Sequence, residues 1–270
     1  MNNATSSKER NPNLELFSVA TIASQIIEDV EHIYGRMKNR SFNVPDNLAG
    51  QQISSQLGEL KAGELIVVAA RSKSLCEAFR LKLIQQVACS LKQTVVAFAM
   101  ADSGIRFTRK LLDVMADIPS DAGIYDGQLD TVELGRLNSA LAQLSTAHIY
   151  ISQSGIRSID DICQAARKQK EKAGIGLILA DSIQWIMDGS TRRPNMQQNL
   201  VSLKQLAGEL GVPVVALYQL DPTEVAHPST LTRFELREVT ELAKLTDRIL
   251  LLSGASENLA LARPKIPVQM

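Results

Sequence analysis

The sequence predicts an α/β domain, a mainly parallel β-sheet flanked by helices on both faces. Three observations carry this. Short apolar runs alternate with helical patterns along most of the chain. Those runs are continuously hydrophobic, as strands covered on both faces must be. Aromatic residues make up only 4% of the chain, so the core is aliphatic.

Residues 1–14 are polar and rich in Asn and Ser, the composition of a disordered tail. Residues 15–40 read as an amphipathic helix. Its apolar positions, Leu16, Val19, Ile22, Ile26, Val30, Ile33 and Met37, recur in steps of three and four. Pro45, Asn47 and Gly50 then break the pattern. A lone helix followed by a loop has nothing of its own to pack on, so it is expected to dock on the main domain or on a neighbouring subunit.

The α/β domain is expected over 45–262, with 263–270 as a second tail. Its strands are "ELIVVAA" (64–70), "TVVAFAM" (94–100), "HIYIS" (148–152), "GLILADS" (176–182), "VPVVALYQL" (212–220) and "RILLLS" (248–253). Helical patterns separate them at 75–91, 103–116, 131–146, 158–172, 197–210 and 235–245.

The bulk properties exclude several classes. The 29 basic and 29 acidic residues cancel, against a protein that coats nucleic acid or membranes by net charge. Cys76, Cys89 and Cys163 have neither disulfide-framework nor zinc spacing, which fits a reducing cytoplasmic setting. His32, His148 and His227 show no metal or triad spacing. No apolar run reaches the roughly 18 residues of a membrane span, and the start of the chain lacks a signal pattern.

The stretch "LIVVAARSKSLCEAFRLKLI" (65–84) has the strand, tight loop and helix of a phosphate cradle, yet its loop holds no glycine and no lysine followed by Ser or Thr. Its context resembles a specific family, the RecA-like C-terminal ATPase domain of DnaB-type replicative helicases. "LGELKAGELIVVAAR" is similar to that family's first strand and the glycine-rich approach to it. "VVAFAMADS" resembles its F-S-L-E-M-S strand end, and "GLILADSIQWI" its L-I-V-I-D-Y-L-Q-L strand. "LAGELGVPVVALYQLD" and "FELREVTELAKLTDRILLL" match its last strands in order. The resemblance covers most of 16–265 and implies a RecA-like P-loop NTPase fold preceded by a linker-type helix.

The resemblance also implies which residues to inspect. The family's Gly-Lys-Thr falls on Leu75, Cys76 and Glu77. Leu75 adds a Cβ where backbone must approach phosphate, Cys76 supplies no positive charge, and Glu77 brings a carboxylate. Like charges at about 4 Å repel by roughly 4 kcal/mol at an effective dielectric near 20. Arg71 and Lys73 lie close by, but a lysine three residues early is expected to leave in another direction. The family's catalytic Glu falls on Ala101, and Asp102 beside it is expected to point elsewhere, being at a strand end. Asp181 matches the Walker B aspartate, Gln219 the γ-phosphate sensor, and Arg237 with Glu238 an Arg-Glu pair. At those positions a purely structural role is the plainer reading. The family's trans-acting Lys-x-Arg is only echoed by Arg263 and Lys265.

Other features have bland readings beside sharp ones. Arg192 and Arg193 fall where the family carries a channel loop for single-stranded DNA, but exposed arginines on a loop are more often merely solvated. Cys76 at a helix start is expected to be a small buried filler, not a reactive thiolate. Trp185 is expected in the core, and "RKQKEK" (167–172) on a solvated helix face.

The expected function is that of a catalytically inactive relative of the DnaB-type helicase domain, needing no cofactor. It would serve as an assembly or regulatory partner in DNA replication or mobile-element maintenance. In the family the linker helix docks on the adjacent subunit, so the resemblance implies a homo-oligomer or a genuine DnaB-type helicase as partner. With 270 residues, no separate N-terminal collar domain is expected. The alternatives are a working ATP-dependent or ATP-independent single-stranded-DNA-binding protein, and a scaffold outside DNA metabolism.

Overall fold

The computed structural model describes residues 16–34, 57–118, 129–152, 158–188, 194–220, 233–252 and 261–262. The strands are β1 (Leu16–Ser18), β2 (Leu65–Ala70), β3 (Val95–Ala99), β4 (Ile149–Ser152), β5 (Leu177–Asp181), β6 (Val214–Gln219), β7 (Arg248–Leu252) and β8 (Leu261–Ala262). The helices are α1 (Val19–Tyr34), α2 (Lys73–Ile84), α3 (Gly104–Ala116), α4 (Thr131–Thr146), α5 (Ile159–Ala173), α6 (Met196–Leu210) and α7 (Arg233–Ala243). The helix expected to continue to residue 91 passes at Gln85 into a π-helical turn, Gln85–Ser90.

The strands form one sheet in the order β1-β4-β3-β5-β6-β2-β7-β8. From β4 to β7 every pairing is parallel. The edges β1 and β8 are antiparallel to β4 and β7. Neither edge strand was legible in the sequence, because a strand of two or three residues has too little pattern to read.

Both faces of the sheet are covered. Ile66, Val68, Ala97 and Leu179 pack with α1, α2, α3 and α4 in one core. Their neighbours Leu65, Val67, Phe98 and Ala180 pack with α5, α6 and α7 in the other. Adjacent residues of each strand thus enter different cores, so an apolar residue is required at every position.

Local chemistry sets the element ends. Asp130 and Glu133 form a reciprocal capping box at α4, and Ser158 with Asp161 does the same at α5. Gly211 ends α6 with φ +62°, a left-handed cap that glycine adopts without steric cost. Gly176 precedes β5 where a Cβ would lie 2.8 Å from the Gln93 side chain, so the constraint there is close approach. At the edge opposite the strand carboxyl ends, Arg248 holds Glu64 through two side-chain hydrogen bonds and so ties β7 to the start of β2.

The N-terminal segment requires one correction and decides one alternative. Leu16 is the first residue of β1, not a helical residue. Of the two dockings expected for Val19, Ile22 and Ile26, on a partner or on the main domain, the second is found: they are buried in the chain's own core against α3 and α4. The physical reason is that β1 pairs with the edge strand β4 and lays α1 across the helices of that face. Val30 and Ile33 lie in α1, but their side chains, like Met37, fall outside the described residues. So do both predicted tails and Arg263 and Lys265.

The segment 167–172 is not uniformly solvated. Gln169 is buried, and Arg167 makes a bidentate pair with Glu209 of α6 at 2.7 Å, joining α5 to α6. Among the described residues no helix is long and apolar enough to cross a membrane.

Candidate functional site

The carboxyl ends of β2, β3, β5 and β6 converge on one cavity of about 130 Å³. In open parallel sheets ligands bind at this edge, where successive loops diverge. The cavity is small beside the roughly 300–1,000 Å³ of ordinary small-molecule sites.

The helix α2 forms one wall. Ser72 caps it, with Oγ accepting from the Leu75 N–H at 3.4 Å. The first turn of α2 therefore uses its own serine to satisfy an N–H that a phosphate cradle would leave open. Leu75 is half-buried against the core. Cys76 is buried, its sulfhydryl 3.9 Å from the Tyr218 carbonyl oxygen. Burial, reinforced by the nearby Asp181 charge, pushes its thiol up to about 11. It is a neutral filler at ordinary pH, as expected.

Glu77 lines the cavity and pairs with Lys110 of α3. One turn further along α2 stands Arg80, 2% exposed. Its guanidinium bonds Asp181 through one terminal nitrogen and Asp102 through the other at 2.8 Å, with Glu77 at 3.5 Å. Lys110 completes the cluster by donating to both Asp102 oxygens at 3.1 and 3.3 Å. The Phe107 ring, 5.1 Å from the guanidinium carbon, closes the remaining side.

These contacts split the two aspartates. Burial raises both, but at Asp102 the hydrogen bonds and charges of Arg80 and Lys110 outweigh it and hold the carboxyl below its ordinary value. At Asp181 burial dominates, and repulsion from Asp102 and Glu77 adds to it, so the carboxyl titrates above its ordinary value despite Arg80.

Asp102 corrects an expectation. It points into the cavity because β3 ends at Ala99, and beyond a strand end the alternation of side chains no longer applies. Ala101, Asp181 and Gln219 line the same cavity. The Gln219 backbone is held by the Gln184 side chain, whose Oε1 accepts from the Gln219 N–H at 3.0 Å and whose amide donates to the Gln219 carbonyl. Lys73 lines the cavity as an exposed residue. Arg237 is exposed on α7 and is not part of the lining, so the structure does not bring it to the site. Arg192 and Arg193 lie outside the described residues.

Trp185 is also corrected. It lies in a 3-10 turn after β5, 67% exposed, and lines the cavity instead of the core. It is the single tryptophan of the chain. Native protein is therefore expected to emit with a water-like maximum and to be quenched freely by acrylamide. A blue-shifted, protected emission would contradict this placement.

Arg80 and Lys110 were missed in the sequence. Arg80 had one legible signal: it follows Cys76 by four residues and adjoins Phe79 on the inner face of α2, where a charge requires a buried partner.

A sheet of this order with a crevice between α2 and the ends of β2, β3 and β5 defines the class, a RecA-like α/β domain. The DnaB-like helicase C-terminal domain model matches residues 50–258, and the chain belongs to that family. It is 29% identical over 207 residues to the replicative DNA helicase DnaB of Geobacillus stearothermophilus, covering 75% of this chain and 45% of that protein. It is 28% identical over 208 residues to the replicative DNA helicase DnaC of Bacillus subtilis (strain 168), with the same coverage. The chain thus spans less than half the length of these relatives. A DnaB-like replicative helicase, solved in a study of its interactions with primase, superposes with a TM-score of 0.64 at 21% identity. The match covers 86% of this chain and 64% of that one, and shares the fold.

Proposed function

We propose that this chain is a non-catalytic member of the DnaB-like family, acting as an assembly or regulatory partner in DNA replication or mobile-element maintenance. The observation that carries the reading is the charge state of the cavity wall. Where a phosphate loop offers glycine, lysine and hydroxyl, α2 brings a neutral Cys76 and the carboxylate of Glu77 to the wall, while Leu75 packs against the core. Two further carboxylates, Asp102 and Asp181, line the same space, and the buried cation is already paired to them. The residues present do not fit a nucleoside triphosphate with its metal ion. Ala101 supplies no general base, and Asp102 is committed to Arg80 and Lys110.

The family relation supports a role beside replicative helicases, with another copy of the chain or a DnaB-type helicase as partner. The described apolar face of α1 is covered within the chain, so it does not support docking through Val19, Ile22 or Ile26.

The test is equilibrium binding of a fluorescent ATP analogue with Mg²⁺. The wild type is expected not to bind. Leu75→Gly/Cys76→Lys/Glu77→Thr combined with Arg80→Ala is expected to restore binding, and the triple change alone to restore less. Micromolar binding by the wild type would overturn the reading.

A further inference from the structure

Trp185 turns its indole to solvent, yet the backbone that carries it is fixed on every side. Its neighbours Ile183 and Ile186 are fully buried. Gln184 bonds the Gln219 backbone in both directions. The fully buried Asn199 amide donates to the Ile186 carbonyl at 2.7 Å, and the Trp185 N–H donates to the Ser182 carbonyl at 3.0 Å. An indole held in this way has little freedom left to lose when it is covered, which suits it to anchor a protein interface.

Its surroundings define what would cover it. The cavity that Trp185 lines is also walled by Leu217 and Tyr218, and its volume of about 130 Å³ has room for one side chain and not for a larger molecule. The carboxylates of Glu77, Asp102 and Asp181 are already paired with Arg80 and Lys110. Lys73 is exposed on the same wall, and Ile105 and Arg106 are exposed at the start of α3, just beyond Asp102. Neither Lys73 nor Arg106 has an ion-pair partner among the described residues. The charge left open on this edge of the sheet is therefore positive, and it stands beside an exposed ring.

We propose that the Trp185 rim is a docking surface for an acidic protein segment that carries an aromatic side chain. The ring stacks on the Trp185 indole over the cavity, and the flanking carboxylates pair with Lys73 and Arg106. This rests on the non-catalytic reading above, since a cleft filled by nucleotide would not be free for it, and it names the chemistry of the partner which that reading requires.

A polypeptide fits this surface better than a single-stranded nucleic acid does. Two exposed cations match two carboxylates, whereas a phosphate backbone is held by a row of cations, and the chain carries no excess of basic residues.

The experiment is fluorescence anisotropy of a dansyl-labelled peptide, Asp-Asp-Phe-Asp-Asp, titrated with the full chain at low and high salt. Wild type is expected to bind it, more weakly as salt rises. Trp185→Ala and Lys73→Glu/Arg106→Glu are each expected to weaken binding about tenfold or more. The charge-reversed variant is expected to prefer Lys-Lys-Phe-Lys-Lys, which wild type binds poorly. These substitutions alter exposed side chains, so the fold is expected to hold, and the wild-type titration alone can sink the proposal.

Absence of wild-type binding overturns it. So does binding that Trp185→Ala leaves unchanged, or equal binding of Asp-Asp-Ala-Asp-Asp, which lacks the ring. A deoxythymidine oligonucleotide that binds through Trp185 more tightly than the peptide would also overturn it, and make the surface a nucleic-acid contact. Each of these leaves the non-catalytic reading standing, because that reading fails only if the wild type binds the ATP analogue.

Discussion

Phe107→Ala is expected to lower stability by about 3–5 kcal/mol, enough to threaten the fold of a marginally stable domain. Phe107 is fully buried on α3, in the core shared by α1–α4 and the sheet. Truncation loses the transfer free energy of the ring and leaves a void that close-packed neighbours cannot fill. It also removes the surface beneath Arg80, 5.1 Å from the ring centre, a contact worth about 0.5–2 kcal/mol when desolvated. Phe107→Leu separates the two parts, since it keeps most of the apolar volume and loses the ring face. Its cost is expected to be about 1–2 kcal/mol. Urea unfolding followed by circular dichroism would read both. A cost below about 1 kcal/mol for Phe107→Ala would mean that α3 is not packed as described.

The second large effect separates two aspartates that bind the same arginine. Asp102→Asn is expected to cost roughly 3 kcal/mol at neutral pH, because it removes charge-assisted bonds from both Arg80 and Lys110. An asparagine amide would turn donors toward donors. Asp181→Asn is expected to cost less, because the ionised Asp181 carboxylate is already disfavoured by burial and by its two carboxylate neighbours.

Acid titration gives the signs. The Asp102 carboxyl is depressed on folding, so it stabilises the fold above its unfolded value near 3.8, and that contribution is lost as pH falls through the lower folded value. Asp181 is raised on folding, so its charged form penalises the fold at neutral pH. That penalty is relieved as pH falls from the raised folded value to 3.8. The difference in Tm between wild type and Asp181→Asn should therefore move in the wild type's favour on acidification above pH 3.8. The difference between wild type and Asp102→Asn should shrink below it. Parallel curves for the two variants would refute the asymmetry.

Much of this was legible in the sequence. The six parallel strands lie close to where hydrophobic runs placed them, since a strand entering two cores must be apolar at every residue. The positions of Cys76, Glu77, Ala101 and Asp181 at one cavity were also readable, because motif order carries the location of strand carboxyl ends. The ion-pair network was not. Arg80, Asp102 and Lys110 come from α2, the β3 exit and α3, and no spacing along the chain announces that a guanidinium will bridge two strand ends.

By itself the sequence determined the strands of the sheet and the covering helices, because hydrophobic period and residue type are local properties. Only the tertiary structure decided how the charges of Arg80, Lys110, Asp102 and Asp181 are paired, where Trp185 faces and what Val19, Ile22 and Ile26 cover. Those depend on groups distant in sequence meeting in a low-dielectric interior. There, burial makes one unpaired charge costly, and only a partner from another element can offset it.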